Sequence, residues 1–263
     1  MYDGLLPDQC RALISRGDYQ GPTAGMARGY VQANLVILPL EIADDFKQFA
    51  QLNPQACPLL EVLVAGKKVV ETVAIADVAT SFPAYRYFEY SEVVEDVPNV
   101  SHLWRDDLVS FLIGCSYTTD QCLLEQGIIL QHVLHNTTVP IYITDRITHP
   151  TRFFSGPMVV SMRPIKKHQV DLAVSITRDY PLAHGAPICV GDPGQLGIAN
   201  LSQPAYGTFY PLQSDEVPVF WACGVTPQLC AQHKEIDFMI THKPGHMLIC
   251  DLKNHDLYKK ESV

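Results

Sequence analysis

Positive charge is scarce in this chain of 263 residues: 19 Lys and Arg stand against 28 Asp and Glu, a formal net charge of 19 − 28 = −9. A broad phosphate-binding surface needs clustered cations, so nucleic acid is not an expected partner. No apolar run approaches the roughly 20 residues that cross a bilayer, and the best candidates, 108–114 and 158–162, are strand-sized. A membrane is therefore not an expected partner either. The first residues carry Asp3, Pro7 and Asp8 and lack a basic segment followed by an apolar one, which speaks against a secretory signal. The expected location is the cytoplasm, or the mitochondrial matrix in a eukaryote. Eight cysteines are too few for a disulfide scaffold at this length, and Cys115, Cys189, Cys223 and Cys250 sit in apolar stretches that read as buried thiols. A Gly-rich phosphate loop, a G-x-S-x-G elbow, an EF-hand and finger-spaced Cys/His clusters are all missing. Nucleotide-driven and serine-hydrolase chemistry lose their footing, and neither a cofactor nor a metal is expected.

What is present is the composition of a folding chain, 47% apolar and 18% charged, long enough for one large core or two smaller ones. Residues 1–50 read as mainly helical: Pro7-Asp8-Gln9 opens a helix through Ile14, 21–25 is a break, 30–38 is apolar, and 42–49 has helical spacing before Asn53-Pro54 stops it. From 60 to 90 the pattern is β-like. Residues 109–114 form a nearly continuous apolar run, then comes a loop, then a helical pattern through Leu130. Such runs belong to strands covered on both faces, which predicts a layered α/β arrangement. Strands at 139–144, 158–164 and 186–190 with one helix at 169–178 suggest a smaller module, after which 217–222 and 247–251 resume the main sheet. The predicted fold is α/β: a layered main domain from 1–139 and 218–263, with a two-layer α+β domain inserted at 140–217.

The most informative feature is internal. Phe111-Leu112-Ile113-Gly114-Cys115-Ser116-Tyr117-Thr118 aligns with Val219-Phe220-Trp221-Ala222-Cys223-Gly224-Val225-Thr226, and each has a second Cys seven positions after the first. Thr226-Pro227 reads as an N-cap with Pro at the first helical position, and Thr118 or Thr119 as the cap of the other helix. Each elbow is then expected to aim free N–H groups and a positive helix end at a ligand, so that Cys115, Ser116, Thr118, Cys223, Gly224 and Thr226 become candidate anion-binding residues. The plainer alternative is an efficient strand-to-helix connection.

Thr241-His242-Lys243-Pro244-Gly245-His246 spaces two histidines four apart, but Pro244 and Gly245 oppose the helix that a metal pair would need. A loop presenting an imidazole as acid or base fits better, with turn capping as the alternative. His184 stands at the mouth of a strand, and Asp192 reads as a turn residue. Arg163 is a cation at a strand end, suited to a bidentate grip on a carboxylate or, more plainly, to a salt bridge with Asp106 or Asp107. Trp104 and Trp221 read as packing residues, and Cys223 lacks a sequence-evident base.

Long strings of the chain resemble a known family. Gly29-Tyr30-Val31-Gln32-Ala33-Asn34-Leu35, Asn53-Pro54-Gln55-Ala56-Cys57-Pro58, Val159-Val160-Ser161-Met162-Arg163-Pro164, His184-Gly185-Ala186-Pro187, Pro218-Val219-Phe220-Trp221-Ala222-Cys223-Gly224-Val225-Thr226-Pro227-Gln228 and Thr241-His242-Lys243-Pro244-Gly245-His246 are similar to the hydro-lyase family related to D-glutamate cyclase. The resemblance implies a two-part α/β structure and a carbon–oxygen lyase that eliminates water, with closure of D-glutamate to 5-oxo-D-proline as the reaction of the cyclase relatives. Ala79, Ser81, Cys189, Asn200 and Ala205 depart from the family pattern. The expected activity is a cofactor-independent lyase on a small carboxylic or amino acid. His242, His246 and His184 are the candidates for proton transfer, Arg163 and the elbows for carboxylate binding, and Asn34 for orientation. A carboxylate-binding sensor or accessory subunit without turnover is the alternative, and the apolar composition permits a homodimer.

Overall fold

The apolar segment Tyr30–Pro39 forms a strand, buried over nearly its whole length, on which the larger of two main sheets is built. The computed structural model describes residues 4–231 and 234–259. Along the first half of the chain the elements are α1 (Pro7–Ser15), β1 (Tyr30–Pro39), α2 (Leu40–Leu52), β2 (Leu59–Leu63), β3 (Val69–Val70), β4 (Ala76–Asp77), β5 (Tyr85–Glu89), β6 (Glu92–Val97), β7 (Leu108–Gly114), α3 (Tyr117–Glu125) and α4 (Gln131–Leu134). The second half adds β8 (Ile141–Ile147), β9 (Pro157–Lys166), α5 (Val170–Arg178), β10 (Cys189–Val190), β11 (Glu216–Ala222), α6 (Thr226–Cys230), β12 (Phe238–His242) and β13 (Leu248–Lys253). The fold class is mixed α/β, as expected. Residues 30–38 are a central strand and not part of a helical region: β-branched and apolar residues follow one another with both faces covered, which leaves no helical stripe.

The larger sheet runs β2-β7-β1-β12-β5-β6, with β13 also paired to β1. β7 flanks β1 along one edge, while β12 and β13 share the other, β12 pairing at Val36 and Ile37 and β13 at Tyr30 to Ala33. A core of Val31, Ala33, Leu35, Ile37 and Leu112 forms on one face of this sheet. Val36, Leu38, Phe111 and Ile113 meet Ile42, Phe46 and Phe49 of α2 on the other. The Phe46 ring sits 4.7 Å from that of Phe111 in an edge-on arrangement. Two-sided burial is what the apolar run of β7 foretold. Strand direction is not encoded in such a run, and every strand pairing among the described residues is antiparallel.

The second sheet runs β10-β11-β9-β8. The strand expected to resume the main sheet at 217–222 lies here instead, paired residue for residue with β9 from Glu216↔Lys166 to Ala222↔Val160. Its apolar run satisfies either sheet equally, and pairing with β9 is what selects between them. The consequence for function is direct, since β7 ends in one sheet and β11 in the other. The chain rejoins the larger sheet through β12 and β13. Among the described residues no helix is long and apolar enough to cross a membrane.

Candidate functional site

The turns that leave β7 and β11 meet. Cys115, Ser116 and Tyr117 from the first elbow and Cys223 and Val225 from the second line one small cavity, together with Asn34 of β1, Ser161 of β9, His242 of β12 and Gly245. Val139, Ile141 and Met247 complete its apolar side.

Asn34 is a polar residue inside an apolar strand, opposite Ile113 of β7. It holds the first elbow by donating its side-chain N–H to the Gly114 carbonyl at 2.6 Å. Gly224 of the second elbow rests against the same amide: a β-carbon at that position would lie 2.2 Å from Asn34 Nδ2. Gly114 is equally constrained, because a β-carbon there would lie 1.6 Å from the Leu182 carbonyl oxygen. Only glycine permits these approaches.

The threonines do not cap the helices. The N-cap positions are Ser116 and Val225, both already helical in backbone conformation and neither making a side-chain cap bond. Thr226 Oγ1 instead accepts from the Val159 N–H at 3.1 Å and donates to the Cys223 carbonyl at 2.7 Å, tying the second elbow to β9. Thr118 Oγ1 accepts from the Gln32 N–H at 3.2 Å. Because each helix begins one to three residues earlier than the caps predict, the threonine hydroxyls fall inside the first turn and bond backward or across. α6 is only five residues long, too short for an appreciable macrodipole. The elbows shape the cavity through their thiols and through Ser116 rather than as paired helix ends.

His242 ends β12 and is fully buried. The Leu35 N–H donates to its Nδ1 at 3.1 Å, closer than the Leu35 carbonyl at 3.4 Å, a geometry that favours the tautomer with the ring proton on Nε2. Nε2 is buried and has no hydrogen-bond partner among the described residues. Burial pushes the pKa down to about 3 against the Leu35 backbone contact, with His246 and Arg86 acting in the same direction as burial. The ring is therefore neutral, and what it offers the cavity is an N–H donor. His246 is buried, engages the Pro244 carbonyl at 3.0 Å and is not part of the cavity wall; burial depresses its pKa as well. His184 has left-handed backbone (φ 74°). Its Nδ1 is 2.7 Å from the Gln55 carbonyl, and it lies outside the cavity wall with its Nε2 buried and unpartnered. Burial pushes its pKa down to about 4.

Arg163 lies within β9, 2% exposed, one layer behind the cavity. Its ion-pair partner is Asp120, with Nη2 at 2.8 Å and Nε at 3.0 Å from the same carboxylate oxygen. Neither Asp106 nor Asp107 takes that place. Asp107 is held by Arg105 at 3.0 Å. The second Asp120 oxygen is 2.7 Å from His132 Nε2. Burial raises the Asp120 pKa, but the Arg163 guanidinium and His132 together outweigh it and hold the carboxyl below its usual range. Burial lowers the His132 pKa, against the opposing pull of Asp120. The guanidinium also donates from Nη1 to Ser161 Oγ at 3.2 Å and from Nη2 to Ser116 Oγ at 3.1 Å. Trp221 lies under it at 5.3 Å and donates its indole N–H to Thr177, a packing role as expected.

Burial raises the pKa of both elbow thiols. Cys223 is pushed up to about 11, with the Val225 N–H opposing the rise; Cys115 rises further, opposed by the Tyr117 N–H. Both are protonated at neutral pH. Among the described residues no group of three or more His, Cys, Asp or Glu side chains is arranged to hold a metal ion.

Of the residues singled out from sequence, Asn34, Cys115, Ser116, Cys223 and His242 come together in the wall, Gly224 and Arg163 back it, and Thr118, Thr226, His184 and His246 stand away from it. Ser161, Asp120 and His132 were missed. Ser161 had a readable signal, since it sits two residues before Arg163 and therefore on the same strand face. Asp120 and His132 had none without the contact between α3 and β9. Ala79, Ser81, Cys189, Asn200 and Ala205, the departures from the family pattern, are all absent from the cavity wall.

A family model described as D-glutamate cyclase matches residues 109–251, a span that holds both elbows and His242. Proteins named "Putative hydro-lyase" are similar over nearly the full length. The one from Bacillus licheniformis is 47% identical, covering 95% of this chain and 96% of its own. That from Clostridium beijerinckii is 47% identical over 97% and 98%, and that from Rubrobacter xylanophilus 48% identical over 94% and 95%. The chain belongs to this D-glutamate cyclase and hydro-lyase family. A solved nitrogen repressor-like protein from Methanococcus jannaschii superposes with a TM-score of 0.42 at 12% identity, covering 93% of this chain and 97% of that one, too loosely to bear on function.

Proposed function

We propose that the cavity between the two elbows is the reaction site of a cofactor-independent lyase acting on a small carboxylic or amino acid, with closure of D-glutamate to 5-oxo-D-proline as the specific reaction. The observation that carries this reading is the neutral, unpartnered Nε2–H of His242 in the wall of a small cavity formed by both elbows. A buried donor without an acceptor costs about 1–3 kcal/mol, and a ligand oxygen that accepts from it recovers that cost. Family membership and the span of the matching model support the same reading.

In the cyclisation the substrate nitrogen attacks the γ-carboxyl carbon. A C–N bond forms, a C–O bond breaks, and the two protons that the ammonium sheds leave with the departing oxygen as water. Charge develops on the remaining γ-oxygen as the tetrahedral centre forms. His242 Nε2–H is suited to stabilise it, because a fixed donor in a water-poor site acts without reorganising. Enclosure by Asn34, the thiols and the apolar wall holds the extended acid in its folded reactive shape.

The test incubates the protein with D-glutamate, L-glutamate and simple hydroxy acids while NMR follows each substrate. Loss of one of them, reduced about 100-fold or more in His242→Gln, is the expected result. Binding seen by thermal shift with no turnover of any of them contradicts the lyase reading and leaves a carboxylate-binding protein.

A further inference from the structure

Arg163 reaches the cavity only through two hydroxyls. Its Nη1 and Nη2 donate to Ser161 Oγ and Ser116 Oγ at 3.2 and 3.1 Å, and both serines line the cavity while Arg163 does not. On its other side the guanidinium is anchored to Asp120, which in turn accepts from His132. The ion pair carries little net charge but has a fixed direction, with the carboxylate at the far end and the cation turned toward the serines.

We propose that Ser116 and Ser161 form a two-hydroxyl subsite for a ligand carboxylate, and that Arg163 is the positioning residue that aims and polarises them. A serine hydroxyl has one proton to give and two lone pairs to receive. In each of these serines one lone pair is filled by Arg163. The two oxygens are 3.5 Å apart, well beyond the usual 2.7–2.8 Å of an O–H···O bond, so neither proton is firmly held by the other serine. Both protons are then free to turn to the cavity, side by side, at the cationic end of the ion pair. That is a donor pair for the two oxygens of one carboxylate. Among the described residues the rest of the wall bears no charged side chain, so the subsite favours a single anionic group, and His242 Nε2–H serves a second, separate oxygen of the ligand. The direct bidentate grip expected of Arg163 from sequence is replaced by a relayed one. Its advantage is that the guanidinium needs no desolvation on binding, since Asp120 and the serines already satisfy it.

Ser116 and Ser161 can act this way only if the cavity takes carboxylates, as proposed above, and the experiment separates the two ideas. Calorimetry compares 5-oxo-D-proline with 5-oxo-D-prolinamide, whose carboxamide keeps the shape and loses the charge. Wild type is expected to prefer the acid by about tenfold or more, the scale of a charge-assisted hydrogen bond. The Ser116→Ala/Ser161→Ala double variant is expected to bring the ratio close to one while still binding the amide, and Arg163→Lys, which keeps the charge but loses the fork, to give an intermediate ratio. A ratio is unaffected by a general loss of stability, so a purely structural role for Arg163 does not move it. A double variant that discriminates as well as wild type overturns the subsite and leaves the carboxylate cavity standing. Wild type that binds neither compound overturns the cavity reading and the subsite with it.

Discussion

Gly224 and Asn34 are in contact across the two elbows, so closely that a β-carbon on Gly224 would fall 2.2 Å from Asn34 Nδ2 and 2.4 Å from its Cγ. The second sheet thus presses its elbow onto the side chain that holds the first. Gly224→Ala must displace the Asn34 amide from the Gly114 carbonyl. The expected loss is about 1–3 kcal/mol, as for other overpacked sites, read from urea denaturation, together with weaker binding of 5-oxo-D-proline. A variant with unchanged stability and binding would show that the elbows do not lean on one another.

Among the described residues Asp120 is the only carboxylate partner of a guanidinium that is 2% exposed. Asp120→Ala leaves that cation buried and unpaired, and the expected cost is about 3–5 kcal/mol. Asp107→Ala removes a surface partner of Arg105 and should cost less than about 1 kcal/mol. Denaturation of the two variants side by side checks the contrast. Equal losses would mean that the buried network is no more than a surface pair in strength.

His242 and His184 have folded-state pKa values pushed down to about 3 and about 4 by burial, below the roughly 6.5 of an unfolded chain. Between those limits the unfolded state binds more protons than the folded one, so stability rises with pH. Both histidines therefore withdraw stability as pH falls from about 6.5 toward 4. Their ring resonances should stay at neutral-imidazole positions down to pH 5 in histidine-labelled NMR spectra. Titration of His242 near pH 6.5 would contradict its role as a neutral donor.

Much of this was legible in the sequence, and what was not follows a pattern. The matching elbows, the two-sided burial of β7 and the helix at 170–178 could be read because each depends on neighbours close in the chain. The sheet to which 217–222 belongs could not, since its apolar run fits both sheets and only the pairing with β9 decides. Arg163 was recognised as important, but its partner Asp120 lies 43 positions away on α3, and no periodicity connects them. The threonine caps failed for a local reason: Ser116 and Val225 already have helical backbones, so the helices begin before the residues best suited to cap them.

The Cys223 thiol, pushed up to about 11, should alkylate slowly at pH 7.5. Only the thiolate reacts, so its rate should climb about tenfold per pH unit up to pH 10. Peptide mass spectrometry after iodoacetamide treatment gives the rate. A plateau below pH 8 would reveal a reactive thiolate and assign the cavity a nucleophile.

Both elbows and His242 are proposed to enclose one carboxylic ligand. A crystal structure of the protein with 5-oxo-D-proline tests it most directly. The ligand is expected between Cys115 and Cys223, with its carboxylate on Ser116 and Ser161 and its lactam carbonyl oxygen on His242 Nε2. A ligand bound elsewhere, with the cavity closed by the apolar side chains of Val139, Ile141 and Met247, would contradict it.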